Sequence, residues 1–392
     1  MEKVYLVAAQ RTPIGKFNGE LASLNAVQLG AAVIKDTVAK AGLTADQVDQ
    51  VLMGNVIQAG SGQNPARQAA MAAGLGQGTP AITVNDVCAS GLSSINLAAS
   101  LIQTGQARVV IAGGMESMTN APYVLKKART GYHNGNGTLI DAMQEDALKD
   151  AWGGYPMGIT AENINERYHI TRQEQDRFAL ISHQKAVAAQ RRGDFNAEIT
   201  PVVIKGRHGS RTVTTDEAPR PDTSLDALSK LKPAFKKGGS VTAGNSSGLN
   251  DGAAAVALAS ATAVNQYHLT PLAEWQAASL VGVDPAVMGL GLYYAVKKLL
   301  QTTKSTTDDI DLFEFNEAFA SQALVCQNWL KVDPRKVNPR GGAIALGHPV
   351  GCSGARILVT LVHELQALDQ QRGIASLCVG GGMGVAALIT KV

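Results

Sequence analysis

Three side chains in this chain have the chemistry and the setting for covalent acyl transfer. Cys88 lies in Asn85-Asp-Val-Cys-Ala-Ser-Gly91, His348 in Gly341-Gly-Ala-Ile-Ala-Leu-Gly-His348-Pro-Val-Gly351, and Cys378 in Cys378-Val-Gly-Gly-Gly-Met-Gly384. Glycine beside a reactive side chain lets backbone N–H groups approach a substrate closely. A thiol makes a strong nucleophile but is only slightly ionised near neutral pH, so it needs a base or a field. A neutral imidazole supplies the base. A helix start supplies the field: Cys88 precedes a helix expected over 92–104, whose positive end should lower the thiol pKa. Cys378 ends a strand expected over 375–379, and the three glycines after it offer N–H groups to an oxyanion. Asn316, in Phe313-Glu-Phe-Asn-Glu-Ala-Phe319, suits either a water-orienting role or a helix N-cap. Against these readings stand plainer ones: a buried structural cysteine is the commoner fate of a lone Cys, and a loop histidine often only holds a backbone group. Cys326 and Cys352 fit that structural role.

Other chemistries lack their patterns. There is no Gly-x-x-x-x-Gly-Lys-Ser/Thr, no Gly-x-Gly-x-x-Gly after the first strand, and no Cys-x-x-Cys or His-x-x-x-His pair. Phosphate-loop, dinucleotide and metal sites are therefore not expected.

The elements that must hold these residues alternate β and α. Residues 4–9 read as a buried strand, 24–41 as a helix stopped by Gly42, 51–57 as a strand and 81–84 as an extended run into Cys88. This is the pattern of a layered α/β domain. One unit occurs twice. Ala107-Arg-Val-Val-Ile-Ala-Gly-Gly-Met115 resembles Ile374-Ala-Ser-Leu-Cys-Val-Gly-Gly-Gly-Met383, and each follows a small-residue turn and helix, starting at Cys88-Ala-Ser-Gly and at Cys352-Ser-Gly-Ala. Between the copies, residues 122–244 are more polar. They contain a capping box, Thr171-Arg-Gln-Glu174, opening a helix expected to end near Gly193. Residues 205–237 carry eight Lys/Arg against four Asp/Glu. This stretch reads as an insert over the site.

Composition narrows the classes further. A chain of 392 residues carries 41 glycines, above the usual ~7%, and they gather around the candidate site. Net charge is only +3, which argues against a dedicated nucleic-acid or membrane-surface protein. The largely apolar run 253–264 is too short to cross a bilayer. Four scattered cysteines fit a reducing cytoplasm better than a disulfide scaffold.

The chain resembles the thiolase family. The Cys-Ala-Ser-Gly turn, the Asn-Glu-Ala-Phe segment, the Gly-His-Pro-Val-Gly loop and the Cys-Val-Gly-Gly-Gly-Met-Gly turn match that family's four signature blocks in order. Residues 109–118, 157–163 and 243–252 match as well, so the resemblance spans the whole chain. It implies two similar five-stranded α/β halves in a layered αβαβα arrangement with an inserted loop domain. The N-terminal half would occupy 1–120, the insert covering a coenzyme A site 121–249, a return to the first half 250–270, and the C-terminal half 271–392. A homo-oligomer is implied, commonly a dimer of dimers.

The resemblance also implies roles. Cys88 would carry the acyl group, His348 would deprotonate it, and Cys378 would move the α-proton of the second thioester. The N–H groups of Cys88 and Gly380 would form one oxyanion hole, and His348 with a water on Asn316 the other. Substrate contacts would come from Met157, Arg220, Phe235, Ala243, Ser247, Leu249, Met288, Ala318 and Phe319. Acetyl-CoA, acetoacetyl-CoA and CoA would be substrates and products, with no cofactor and no metal. These pocket residues resemble the short-chain branch. Pro156 departs from it, since that branch often has His there, and this leaves a broader 3-ketoacyl-CoA activity as the alternative. A non-catalytic CoA- or lipid-binding relative is a third reading, and the presence of the whole Cys/His/Cys set argues against it.

Overall fold

The computed structural model describes residues 2–206 and 209–392. Strand β1 spans Val4–Arg11, helix α1 Ala26–Lys40, β2 Gln50–Gly54, β3 Ala81–Val84, α2 Ser90–Gln103 and β4 Val109–Ser117. The insert contributes α3, Met157–Tyr168, and α4, Arg172–Arg192. Then follow β5 Asn250–Ser260, β6 Ala273–Gly282, α5 Gly291–Thr302, β7 Leu312–Phe315, α6 Ala320–Leu330, α7 Val350–Ala367, β8 Arg372–Val379 and β9 Met383–Lys391. The strands lie in the order β7-β8-β9-β6-β1-β5-β4-β2-β3, with a two-residue strand, Gly15–Lys16, paired on β5.

The two halves meet where β1 pairs antiparallel with β6, and each half repeats one design. In both, a parallel strand pair (β2 with β4, β7 with β8) is followed by an antiparallel one (β4 with β5, β8 with β9). The same clamp opens each parallel pair. Asp49 accepts from the backbone N–H groups of Arg108 and Val109, and Asp311 from those of Gln371 and Arg372. The halves differ at one edge. β3 completes five strands in the first, whereas the counterpart beside β7 is a single bridge, Phe313 to Val337, among the described residues.

Apolar burial defines five layers. Helices α2 and α7 pack between the two sheet halves in one core containing Leu92, Ile95, Leu358, Leu361, Val110 and Leu377. The outer face of the first half is covered by α1 through Leu29 and Val33. The outer face of the second is covered by α5 and α6 through Leu292, Val296 and Cys326. The central helices cross at glycines: a Cβ on Gly91 would stand 2.7 Å from Ala355 N, and one on Gly354 2.5 Å from Leu92 N. This reciprocal contact pairs Ser90-Gly91 with Ser353-Gly354. On the helices it moves the repeat read from sequence by one residue, because Cys88 corresponds to Gly351 and not to Cys352; on the strands the two clamps set Val109 against Arg372, so Met115 corresponds to Cys378 and not to Met383.

Most local expectations hold, with shifted ends. Thr171 and Glu174 form the capping box, and Gly193 closes α4 at φ 77°. β2 stops at Gly54, three residues short of the expected end. Asn316 caps no helix, since α6 begins four residues later at Ala320.

Candidate functional site

The turn carrying Cys88 joins β3 to α2 and places that residue two positions before the helix. Its sulfur faces two backbone N–H groups, that of Gly380 and its own. The field expectation fails here. Burial pushes the half-buried thiol up to about 11, against the pull of those two N–H groups, and the nearby Asp86 and Glu116 carboxylates add to the rise. Desolvation penalises the thiolate more than a helix terminus favours it. Cys88 therefore rests as a thiol and depends on a base.

Cys378 ends β8 beside Cys88 and is almost wholly buried. Burial first, then the neighbouring Cys88, hold it well above the usual thiol range. Only the first of the three glycines after it serves the sulfur. Gly381 and Gly382 make the β8–β9 hairpin turn at φ 86° and 82°, conformations that L side chains rarely adopt.

His348 is held on every side. Its backbone N–H donates to Asn250 Oδ1 at 2.9 Å. Its Nδ1 lies 2.5 Å from Ser353 Oγ, one turn into α7. That hydroxyl already donates its proton to Pro349 O at 3.0 Å, so it accepts from Nδ1–H and leaves Nε2 as the free base. Asn316 Nδ2 sits 3.5 Å from Nε2, while the buried Asn316 Oδ1 has no protein partner. Such an atom is suited to holding a water. Burial, then the positive Arg356, lower His348 to about 4, so the ring is neutral. Arg356 reaches Glu314 across 3.2 Å, both fully buried. Glu314 lies on β7, which ends just before Asn316, so this pair joins the strand leading to Asn316 to the helix carrying Ser353.

Glu116 caps the start of α7. It accepts from Gly351 N, Val56 N and Ile57 N, and from Asn55 Nδ2 at 2.8 Å. Burial raises it to about 7 despite those donors. The two central helix starts thus differ: that of α7 is filled by a carboxylate, while that of α2 carries Cys88. Val350, two residues past His348, packs in one apolar cluster with Val87, Cys88 and Leu249, which links the histidine loop to the turn carrying Cys88.

The other expected residues fall into two groups. Met157, Phe235, Met288, Ala318 and Phe319 share one cluster with Cys378, and the rings of Phe235 and Phe319 meet edge to face at 6.2 Å. Ser247 is turned to the backbone, its N and Oγ both donating to Ala318 O. Ala243, Leu249 and Arg220 line a cleft of ≈350 Å³ with Lys16, Phe17 and His183, and this cleft runs to Asn250 and Gly347 beside the histidine. Lys16, from the first half, adds a second cation to this cleft. The lysines of the insert do not line the cleft; Lys230 pairs with Asp226 and Lys236 with Glu166.

Sequence reasoning missed Ser353, Asn250, Glu116 and Lys16. Ser353 had a readable signal, a hydroxyl five residues after His348 at a helix start. Glu116 and Asn250 lie within the matching stretches 109–118 and 243–252 but had nothing to single them out, and Lys16 had no signal. Among the described residues no cluster of His, Cys, Asp and Glu could hold a metal, and no helix is long and apolar enough to cross a membrane.

Known proteins resemble this chain along its length. The family model described as "Thiolase, N-terminal domain" matches residues 4–262 and "Thiolase, C-terminal domain" residues 269–391. Proteins named acetyl-CoA acetyltransferase from Pseudomonas aeruginosa and Cupriavidus necator are each 52% identical over 392 residues, covering all of both chains. The crystal structure of the Bacillus anthracis acetyl-CoA acetyltransferase superposes with a TM-score of 0.98 at 44% identity, covering 100% of this chain and 99% of that one.

Proposed function

The chain belongs to the thiolase family, and from that premise we propose that it is an acetyl-CoA C-acetyltransferase, joining two acetyl-CoA into acetoacetyl-CoA and CoA and running the reverse. The carrying observation is the pair of neighbouring thiols: Cys88 under two N–H groups and Cys378 beside it. Full-length relatives that bear this name support the reading.

The chemistry follows from resting protonation. His348 Nε2 takes the Cys88 proton as sulfur attacks the thioester carbonyl, whose oxygen turns to the N–H groups of Cys88 and Gly380. The carbon–sulfur bond to CoA breaks. Cys378 starts as a thiol, so it first gives its proton to the leaving CoA sulfur and only then becomes a base. The Cys378 thiolate removes an α-proton from the second acetyl-CoA. The enolate oxygen faces protonated His348 and the water proposed on Asn316. The enolate carbon attacks the acetyl group, Cys88 leaves as thiolate and recovers its proton from His348. Two transfers through one covalent enzyme give ping-pong kinetics.

Removing the Ser353 hydroxyl should leave Nδ1–H unpartnered and the ring free to turn. Ser353→Ala is expected to lower kcat about fivefold, in line with one neutral hydrogen bond of ~1 kcal/mol, with KM little changed. An unchanged kcat in steady-state thiolysis would remove Ser353 from this role.

Acyl length is set by the cluster around Cys378, where Met157, Phe235, Met288 and Phe319 close the space. Thiolysis of a four-carbon 3-ketoacyl-CoA is expected to exceed that of an eight-carbon one by about tenfold or more in kcat/KM. Equal or better use of the longer chain would favour the broader 3-ketoacyl-CoA activity, which Pro156 keeps in view.

We further propose a homo-oligomer in a reducing compartment such as the cytoplasm, where four unpaired cysteines persist. Edge strand β3 is only partly covered, with exposed Ile82 over an apolar groove of Leu52, Val84, Leu97 and Leu101. Open edges of this kind favour pairing with a second copy. A second exposed patch, Tyr123 and Leu139, suits a contact between dimers. Light scattering is expected to give four chain masses, and Ile82→Lys to reduce that number. A monomeric wild type would refute the assembly.

A further inference from the structure

The residue before the nucleophile has a backbone that its side chain disfavours. Val87 adopts φ 45° and is the only β-branched residue among the nine described non-glycine residues with positive φ. For a branched side chain the left-handed region is a true outlier. The surrounding turn holds it there. Val87 N donates to Asn85 Oδ1 at 3.1 Å, and Ser90 Oγ donates to Val87 O at 2.6 Å while accepting from Asp86 N. Ser93 Oγ fixes Asp86 at 2.6 Å. Strain that survives only because its neighbours impose it is characteristic of functional sites.

The side chain points to what the strain achieves. Val87 Cγ1 lies 3.2 Å from where a Cβ on Gly380 would stand, so the branched group rests against Gly380. The two N–H groups that face the Cys88 sulfur come from different halves of the fold, one from the start of α2 and one from the β8–β9 turn. No covalent link sets their spacing. Val87 is bonded to Cys88 and packed on Gly380.

We propose that Val87 is a positioning residue: its left-handed backbone aims the Cys88 N–H, and its branched side chain is the spacer that keeps the Gly380 N–H opposite. This rests on the acetyl-transfer reading above. The readout is the rate of Cys88 acetylation by acetyl-CoA, followed as the burst of CoA release, beside the thermal midpoint. Val87→Thr keeps the branch and is expected to stay within about twofold of wild type. Val87→Ala and Val87→Gly are expected to acetylate about tenfold more slowly or worse, as donors drift by a fraction of an ångström. The glycine variant should do so without a fall in thermal midpoint, since it relieves the strain. KM for acetyl-CoA should hold.

A double-mutant cycle separates spacing from general damage. Gly380→Ala presses a methyl on Val87 and should slow acetylation. Shortening Val87 in the same chain makes room, so Val87→Ala with Gly380→Ala should be no slower than Gly380→Ala alone. Multiplicative losses, or wild-type acetylation by both Val87→Ala and Val87→Gly, would overturn the proposal. A wild-type chain that never acetylates at Cys88 would overturn the reading of function and this spacer with it.

Discussion

Cys88→Ser is expected to leave a folded protein that forms no acetyl-enzyme and has lost thiolysis by roughly 10⁴-fold or more, the scale seen when a covalent nucleophile is removed. The thiol rests protonated, pushed up to about 11 by burial. A serine hydroxyl in its place is far less acidic again, and a neutral His348 lowered to about 4 is too weak a base to ionise it. Intact-mass measurement after mixing with acetyl-CoA reads the result directly. A serine variant that gained an acetyl group and turned over would disprove the assignment. A wild type that gained none would instead favour a CoA-binding relative without catalysis.

Cys378→Ala is expected to separate the two half-reactions. Acetylation of Cys88 should persist but slow, because its N–H donors and its base remain while the thiol that protonates the leaving CoA sulfur is gone. Carbon–carbon bond formation should fall by about 10²–10⁴-fold, the usual contribution of a positioned acid–base group. The acetyl-enzyme should then accumulate. Exchange of the methyl protons of acetyl-CoA with deuterated solvent should be lost in parallel. Normal synthesis of acetoacetyl-CoA by this variant would show that another group moves the α-proton. The same logic gives a pH signature. His348 is depressed from the ordinary 6.5 to about 4 by burial and Arg356, so it stays a base well below neutrality. The stability tied to its neutral form is complete above pH ~6.5 and is lost as pH falls through that value towards 4.

What was legible in the chain was local. Small residues around Cys88, His348 and Cys378 mark turns whose backbone must come close to something, and that is visible in composition alone. The capping box at Thr171 and the stop at Gly193 needed only neighbours three or four residues apart. The four signature blocks then tied these turns to one family. Errors arose where a local rule met a global term. The helix-start argument for an acidic Cys88 was sound for an exposed thiol, but the depth of burial is a property of both halves together. The repeat is real, yet like residues mislead its alignment: matching the cysteines shifts the helices by one residue and matching Gly-Gly-Met shifts the strands by five, because the helix-crossing glycines and the Asp clamps set the true equivalence.

The sequence by itself determined which groups are present and which backbone positions are bent for close approach: two thiols, one imidazole, an amide and the glycines beside them. Tertiary structure alone decided their working states. It set Asn316 against His348 across 32 residues, and the Gly380 N–H against Cys88 across nearly 300. It also seated Ser353 so that Nε2 carries no proton, and buried both thiols so that each starts protonated. The physical reason is range. Backbone propensity acts over a few residues, whereas desolvation and hydrogen-bond partnership depend on what the fold brings near, and those two terms choose where every proton in this site begins.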